Sequence, residues 1–345
     1  MSEAAHAKLS RLMDGYLITQ LLYVAARLGI ADALADGPRD AGVVAGDVGV
    51  EPRRLRRVLR GLAAEGVLDE HPDGRFGFTA VGTCLRRDVA SSLRGAILAR
   101  GDLYYGAAAG LLDAVRLGGA AFEHVHGTGF FDFLAEQPER AARFQASMAD
   151  RARREAADIV AAYDFGSYRR LVEVGGGEGV LLEAILASTS GLRGVLFDRP
   201  SVVEAAKARL TAAGLAGHCE VVAGDFFASV PAGADVYMLS RVIHNWDDDD
   251  DVRILANCRR AMDATGTVLL ADVVLPPRAG DHPAAIRMDL HMLTLLHGRE
   301  RTADEHTDLL GAAGLRLVRI VPTGSPMGVS VIEAVPSGLR PVLAL

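Results

Sequence analysis

Leu171-Val172-Glu173-Val174-Gly175-Gly176-Gly177-Glu178-Gly179 is the stretch on which the fold turns. A short apolar run ends in four glycines within five residues, and a helical pattern of apolar residues begins at Val180. The order is strand, tight turn, helix start. Glycines let the chain bend sharply and bring its backbone close to a ligand that a Cβ would hold away. A dinucleotide fingerprint needs glycines at its first, third and sixth positions. Counted from Gly175, the sixth position is Val180 and the last glycine falls one early. With Glu173 two residues ahead of the first glycine, the loop suits an adenosine with a zwitterionic amino-acid tail better than a pyrophosphate.

Downstream, strands and helices alternate. Strands are expected at Arg170–Val174, 194–198, 220–222, Val236–Ser240 and 268–271, with helices at 180–187, 200–213 and 252–262. The pattern implies an α/β fold with a Rossmann-like, doubly wound, largely parallel sheet. A last pair, 316–321 and 328–334, reads as an antiparallel hairpin at one edge.

Upstream the text is different. Leu12, Tyr16, Leu17, Leu21, Val24, Ala25 and Leu28 recur at helical spacing, and Gly29 ends the run. Pro52 opens a helix with Leu55, Val58, Leu59 and Leu62 on one face, stopped by Gly66. The segments 68–70 and 75–79 around Pro72-Asp73-Gly74 form a hairpin. Helix, helix and two-stranded wing make a winged-helix outline. Residues 93–163 read as all-helical, broken near 118–119 and 127–129.

Of the 345 residues, 50% are hydrophobic and 23% charged, enough apolar material for a large core, and the formal net charge is −7. An acidic chain disfavours nucleic acid or an anionic membrane as main partner. Cys84, Cys219 and Cys258 are odd in number and far apart, which fits reduced thiols rather than disulfides or a zinc site. No signal peptide or 18-residue apolar span is visible, so a soluble, cytoplasmic protein is expected.

Two further acids stand where a nucleoside needs them. Asp198 ends the second strand of the series, roughly 20 residues past the glycines, where a carboxylate accepts both ribose hydroxyls. After the next strand, Asp225 can accept from an adenine amino group while Phe226 stacks on the ring. Each acid alone is more often a helix cap. Three loops at the carboxyl ends of successive strands together make a binding crevice.

Glu173–Gly179, Asp198, Gly224-Asp225-Phe226-Phe227 and above all Leu239-Ser240-Arg241-Val242-Ile243-His244-Asn245-Trp246 resemble the S-adenosylmethionine-dependent O-methyltransferases of the caffeate/hydroxyindole type. That group includes bacterial enzymes that tailor aromatic natural products. Gly298-Arg299-Glu300-Arg301-Thr302 strengthens the likeness, which spans nearly the whole chain. The resemblance implies a winged-helix-like dimerisation domain over 1–100 and a helical connector lining the substrate pocket over 101–165. A Rossmann-like catalytic domain then covers 166–345. It implies S-adenosyl-L-methionine as cofactor, S-adenosyl-L-homocysteine as its product, and no metal. Glu173, Gly175, Gly177, Asp198, Asp225, Phe226, Ser240 and Arg241 are then the cofactor-binding residues. Plant members carry Lys in place of Ser240, and Asp is commoner than Asn245.

Methyl transfer from a sulfonium is an in-line displacement that needs a positioned nucleophile and a group to take its proton. His244, just past the 236–240 strand, is the base by this resemblance. Asp272, ending the 268–271 strand, and Glu300 are the acids that flank and orient it. Nearby carboxylates should favour the charged imidazole and raise its pKa. Met148, Asn245 and Met292 are candidate acceptor contacts, with His291 and His297 as further lining and possible bases. Phe144, Leu293 and Leu296 add apolar surface suited to a small aromatic ring. Asp247–Asp251 look like a metal site, but five consecutive acids opening a helix are better explained by capping and the helix dipole.

Two rival functions are a winged-helix DNA-binding regulator, using Arg53, Arg54, Arg56, Arg57 and Arg60, and a relative that binds the cofactor but hydroxylates or decarboxylates a polyketide. The acidic total charge opposes the first, and the presence of His244 opposes the second. The apolar face along 12–28 predicts a homodimer.

Overall fold

The computed structural model describes residues 3–89 and 91–338. The chain divides into two compact units, one of residues 1–110 and 125–148, the other of residues 111–124 and 149–345.

In the first unit, helices span Gly15–Leu28, Ile30–Ala33, Ala41–Val48 and Pro52–Ala64, followed by an antiparallel hairpin of β1 (Leu68–Glu70) and β2 (Phe76–Phe78). The last two of these helices start on side-chain caps. The Asp40 carboxylate accepts from Gly42 N–H, and Glu51 accepts from Arg53 and Arg54 N–H ahead of Pro52. Leu55, Leu59 and Leu62 are buried beside Ala25, Ile30, Leu34, Val44 and Phe76. Three buried leucines at about 1.5–3 kcal/mol each outweigh the exposed pairs of Arg56 and Arg60 with Glu70, worth about 0–1 each. The apolar face therefore holds this helix. Leu12, Met13, Tyr16 and Leu17 remain exposed.

The second unit is built on an eight-stranded sheet. Its strands are β3 (Arg170–Val174), β4 (Arg193–Asp198), β5 (Cys219–Ala223), β6 (Val236–Ser240), β7 (Thr267–Leu275), β8 (Arg301–Thr302), β9 (Leu315–Pro322) and β10 (Val329–Pro336). Their order is β5-β4-β3-β6-β7-β10-β9, with β8 paired to the end of β7. Strands β3 to β7 pair in parallel, while β10 is antiparallel to both β7 and β9. Alternate residues feed opposite faces: Leu171, Met238 and Leu269 pack into one core, Val172, Tyr237 and Leu270 into the other. The chain runs from β3 to β4 on one side and returns to β6 on the other. A crevice therefore opens where the carboxyl ends of β3 and β6 part.

Two segments differ from the sequence expectation. β7 continues to Leu275, so Asp272 lies inside the strand, paired with Ser330, rather than at its end. The acidic helix begins at Asp248, with Asp247 as its cap. Cys84, Cys219 and Cys258 are free thiols. Among the described residues, no helix is long and apolar enough to cross a membrane.

Candidate active site

The glycine loop sits at the crevice mouth. Gly175, Gly177 and Gly179 all have φ between 57° and 78°, the left-handed region that glycine adopts without cost. A Cβ on Gly175 would stand 2.8 Å from Val242 Cγ2, so only glycine lets this loop lie against the turn after β6. Glu173 is buried beneath the loop, and its Oε2 has no hydrogen-bond partner. Burial pushes this carboxyl up to about 8, a state that an approaching ammonium group would reverse.

Asp198 closes β4, where its Oδ2 accepts from Gly177 N–H at 2.8 Å and its Oδ1 from Arg199 N–H at 2.7 Å. The carboxylate is thus tied to the glycine loop, with lone pairs left for a diol. Asp225 accepts from Phe227 N–H, and Asn257 donates to the carbonyls of Phe226 and Phe227, fixing the loop after β5. Trp246 packs edge-on against Phe226 and Phe227 at 6.0 and 4.7 Å. That contact joins the turn carrying His244 to the loop carrying Asp225. Ser240 is half-buried at the end of β6.

His244 lies on a short 3-10 turn, 3% exposed. Its Nδ1 stands 2.9 Å from Glu300 Oε1. Arg241 Nη2 is 3.3 Å from the same oxygen, and its Nη1 is 3.7 Å from Asp272 Oδ1. Burial alone would raise Glu300, but the Arg241 guanidinium and the His244 contact hold it at about 2. An ionised carboxylate only accepts, so Nδ1 carries the proton and Nε2 presents its lone pair.

The pKa of His244 moves opposite to the sequence expectation. Burial, then the positive field of Arg241, lowers it to about 4, outweighing the pull of Glu300. Asp272 makes no hydrogen bond to the ring, and burial raises its carboxyl well above the usual range. It faces Arg241 instead. The Arg241 side chain, expected at the cofactor, is buried against these acids.

His244, Asp272 and Glu300 offer three donor atoms within 4.8 Å of one another. The Arg241 guanidinium already supplies the positive charge between the two carboxylates. Of the acidic run, Asp247 caps the helix, while Asp248 and the fully buried Asp251 pair with Arg301 at 2.6 and 2.7 Å. Arg301 follows Glu300 directly, so these pairs anchor the acid's strand, a role beyond capping.

Of the acceptor candidates, Asn245 donates its Nδ2 to the Arg241 carbonyl at 3.0 Å, and Met292 is buried on the helix Pro283–Leu295. His297 is exposed and contacts Glu123 at 2.8 Å. Met148 belongs to the other compact unit. Glu155, buried with Oε1 unpartnered, and Gly298 were not among the expected site residues. Glu155 has no signal in a helix of mixed charges. Gly298 does, standing in the short segment that carries Glu300.

Residues 109–316 match the model of the O-methyltransferase domain, and residues 10–88 that of the O-methyltransferase dimerisation domain. The chain belongs to this O-methyltransferase family. It is similar to the phenazine O-methyltransferase PhzM of Lysobacter antibioticus, 44% identical over 95% of each chain. The crystal structure of LaPhzM superposes with a TM-score of 0.90 at 43% identity, covering 96% of this chain and 99% of the other. The O-methyltransferase NcsB1 from neocarzinostatin biosynthesis, in complex with S-adenosyl-L-homocysteine and 1,4-dihydroxy-2-naphthoic acid, gives 0.81 at 35% identity over 92% and 96%. This O-methyltransferase is S-adenosylmethionine-dependent and carries the dimerisation domain of a homodimer. Neither rival function finds support.

The glycine cradle, the orphaned Glu173 and the paired lone pairs of Asp198 fit that cofactor's backbone approach, ammonium and ribose. When bound, it supplies an electrophilic methyl group on a sulfonium.

Proposed function

We propose that this methyltransferase transfers a methyl group to a hydroxyl of a small aromatic acceptor, a phenolic metabolite of the polyketide type, in the cytoplasm. In this reading Glu173, Gly175, Gly177, Asp198, Asp225, Phe226 and Ser240 hold the cofactor, and His244 Nε2 takes the hydroxyl proton. Glu300 orients the ring, while Asp272 acts one step further out. Asn245, Met292 and Met148 are assigned to the acceptor side by resemblance. The helical stretch 101–165 is assigned to the acceptor as a connector between dimerisation (1–100) and catalytic (166–345) regions.

The observation that carries the reading is the neutral, buried His244 with its Nδ1–H committed to Glu300. An ordinary phenol has a pKa near 10. Against an imidazole at about 4, complete proton transfer before methylation costs roughly 8 kcal/mol. General-base catalysis supplies about 3–5 kcal/mol. The proton therefore moves together with methyl transfer, or the acceptor hydroxyl is acidified by its ring substituents.

The test is a panel of phenols, catechols and hydroxynaphthoates with S-adenosylmethionine, read by mass spectrometry. The expected product gains one methyl, located on oxygen by NMR, and turnover favours the more acidic hydroxyls. A gain of one oxygen, a loss of carbon dioxide, or methylation confined to amines would sink the proposal.

A further inference from the structure

We propose that Arg241 is a positioning residue for the base, its buried guanidinium bridging Glu300 and Asp272 so that Glu300 stays ionised and takes the Nδ1–H of His244. The inference rests on His244 being the base and names the group that sets its tautomer.

Three observations converge on Arg241. Its backbone is in the left-handed region, φ 56°, the sole non-glycine with positive φ among the described residues. Such a conformation costs about 1–3 kcal/mol and persists only where its surroundings enforce it. Here they do: Arg241 N–H donates to the Ala271 carbonyl at 3.0 Å, and the Asn245 side chain donates to the Arg241 carbonyl at 3.0 Å. The turn directs the side chain into the interior, where it is 7% exposed. There it lies 3.3 Å from Glu300 Oε1 and 3.7 Å from Asp272 Oδ1. These contacts are ion pairs and not aligned hydrogen bonds, so the guanidinium acts through its charge.

The charges around His244 come from every neighbouring element. Arg241, which follows β6, Glu300, which precedes β8, and Arg151, on the helix Pro138–Ala162, act on His244 itself, while Asp272 on β7 and Glu155 on the same helix act on Arg241. Asp289, on the helix Pro283–Leu295, accepts the Glu300 N–H at 3.0 Å. After burial, Arg241 is the strongest influence both in lowering His244 and in holding Glu300 ionised. Asp272 thereby lies against Arg241 and not against the imidazole. Removing the guanidinium makes both His244 and Glu300 easier to protonate, two effects of the same sign on one coupled pair.

The experiment compares Arg241→Gln and Arg241→Lys in the full-length dimer. It measures kcat against pH with saturating S-adenosylmethionine and the hydroxynaphthoate that the acceptor panel shows to be methylated, S-adenosylhomocysteine affinity by calorimetry, and the melting temperature. Arg241→Gln should lower kcat about ten- to a hundredfold at neutral pH. It should also move the acid limb of the profile up by about one pH unit. Affinity for S-adenosylhomocysteine should stay within a few-fold, and Arg241→Lys should return the limb towards wild type. An unmoved limb overturns the proposal, whether kcat falls or not. So does lost S-adenosylhomocysteine affinity, which would make Arg241 a cofactor contact. If Arg241→Gln fails to fold, Arg241→Met decides, an apolar chain of similar length without the charge: an acid limb moved up with S-adenosylhomocysteine affinity unchanged supports the role, and an unmoved limb refutes it. His244→Gln, run alongside, separates the two ideas. If that variant is active the base assignment itself has failed, whereas an inactive His244→Gln beside an unmoved Arg241→Gln profile removes the Arg241 role alone.

Discussion

The bare Cα of Gly298 is pressed against the backbone of His244: a Cβ there would lie 2.1 Å from the His244 carbonyl oxygen and 2.6 Å from Trp246 N. Two segments more than 50 residues apart in sequence thus meet without a side chain between them. The meeting brings Glu300 within hydrogen-bond reach of the imidazole. Gly298→Ala must push the two backbones apart, and displacements of about 1 Å at a catalytic group cost on the order of a hundredfold in rate. The expected result is a folded protein with kcat depressed by that order, checked by steady-state kinetics beside circular dichroism. Wild-type kcat would show that the His244–Glu300 geometry does not govern the rate.

A second expectation concerns pH. His244 is lowered by burial and Arg241 from 6.5 to about 4, so it is neutral in the folded protein well below neutrality. The acid limb of kcat should fall below pH 6.5. Stability follows with the same sign. Between about pH 4 and 6.5 the unfolded chain binds the proton that the native His244 refuses, so this group's contribution is lost as pH falls through that window. An acid limb above 6.5 would mean that the carboxylates dominate after all.

Asp198→Ala removes a carboxylate placed for two ribose hydroxyls, charge-assisted bonds worth about 1.5–3 kcal/mol. Affinity for S-adenosylmethionine should fall about ten- to a hundredfold, as measured by calorimetry on a protein whose melting curve shows it folded. Because Asp198 also holds Gly177 N–H at 2.8 Å, part of that loss reflects a loosened loop. Unchanged affinity would reject the diol role.

Leu12, Met13, Tyr16 and Leu17 are 67, 70, 55 and 49% exposed, an apolar strip that a folded chain covers with a partner. Light scattering at micromolar concentration should give a dimer, and Leu12→Asp with Leu17→Asp should weaken it. A wild-type monomer would contradict dimerisation through this strip.

How much of this was legible in the sequence depends on what each residue's signal is. The parallel sheet and the edge hairpin follow from hydropathy periods and glycine punctuation, which local sequence carries. The sequence makes β7 look short because Asp272 interrupts its apolar run, and sequence alone does not show that Arg241 lies across from it. In the sequence the five acids from Asp247 look like one capping device. Only folding separates the cap, Asp247, from Asp251, buried against Arg301. The direction of the His244 shift is hidden from the sequence for a related reason. Counting flanking carboxylates predicts a raised pKa, whereas burial and a guanidinium from the preceding turn decide the sign.

The most direct test of the whole account is His244→Gln, assayed for turnover and for cofactor affinity in the same preparation. Gln keeps the size and some hydrogen bonding but cannot take a proton, and none of the residues assigned to the cofactor depends on this side chain. Loss of a general base costs about 10²–10⁴-fold. The account predicts a collapse of that size with S-adenosylmethionine affinity unchanged within a few-fold. Near-normal turnover of a genuine acceptor by His244→Gln would contradict it.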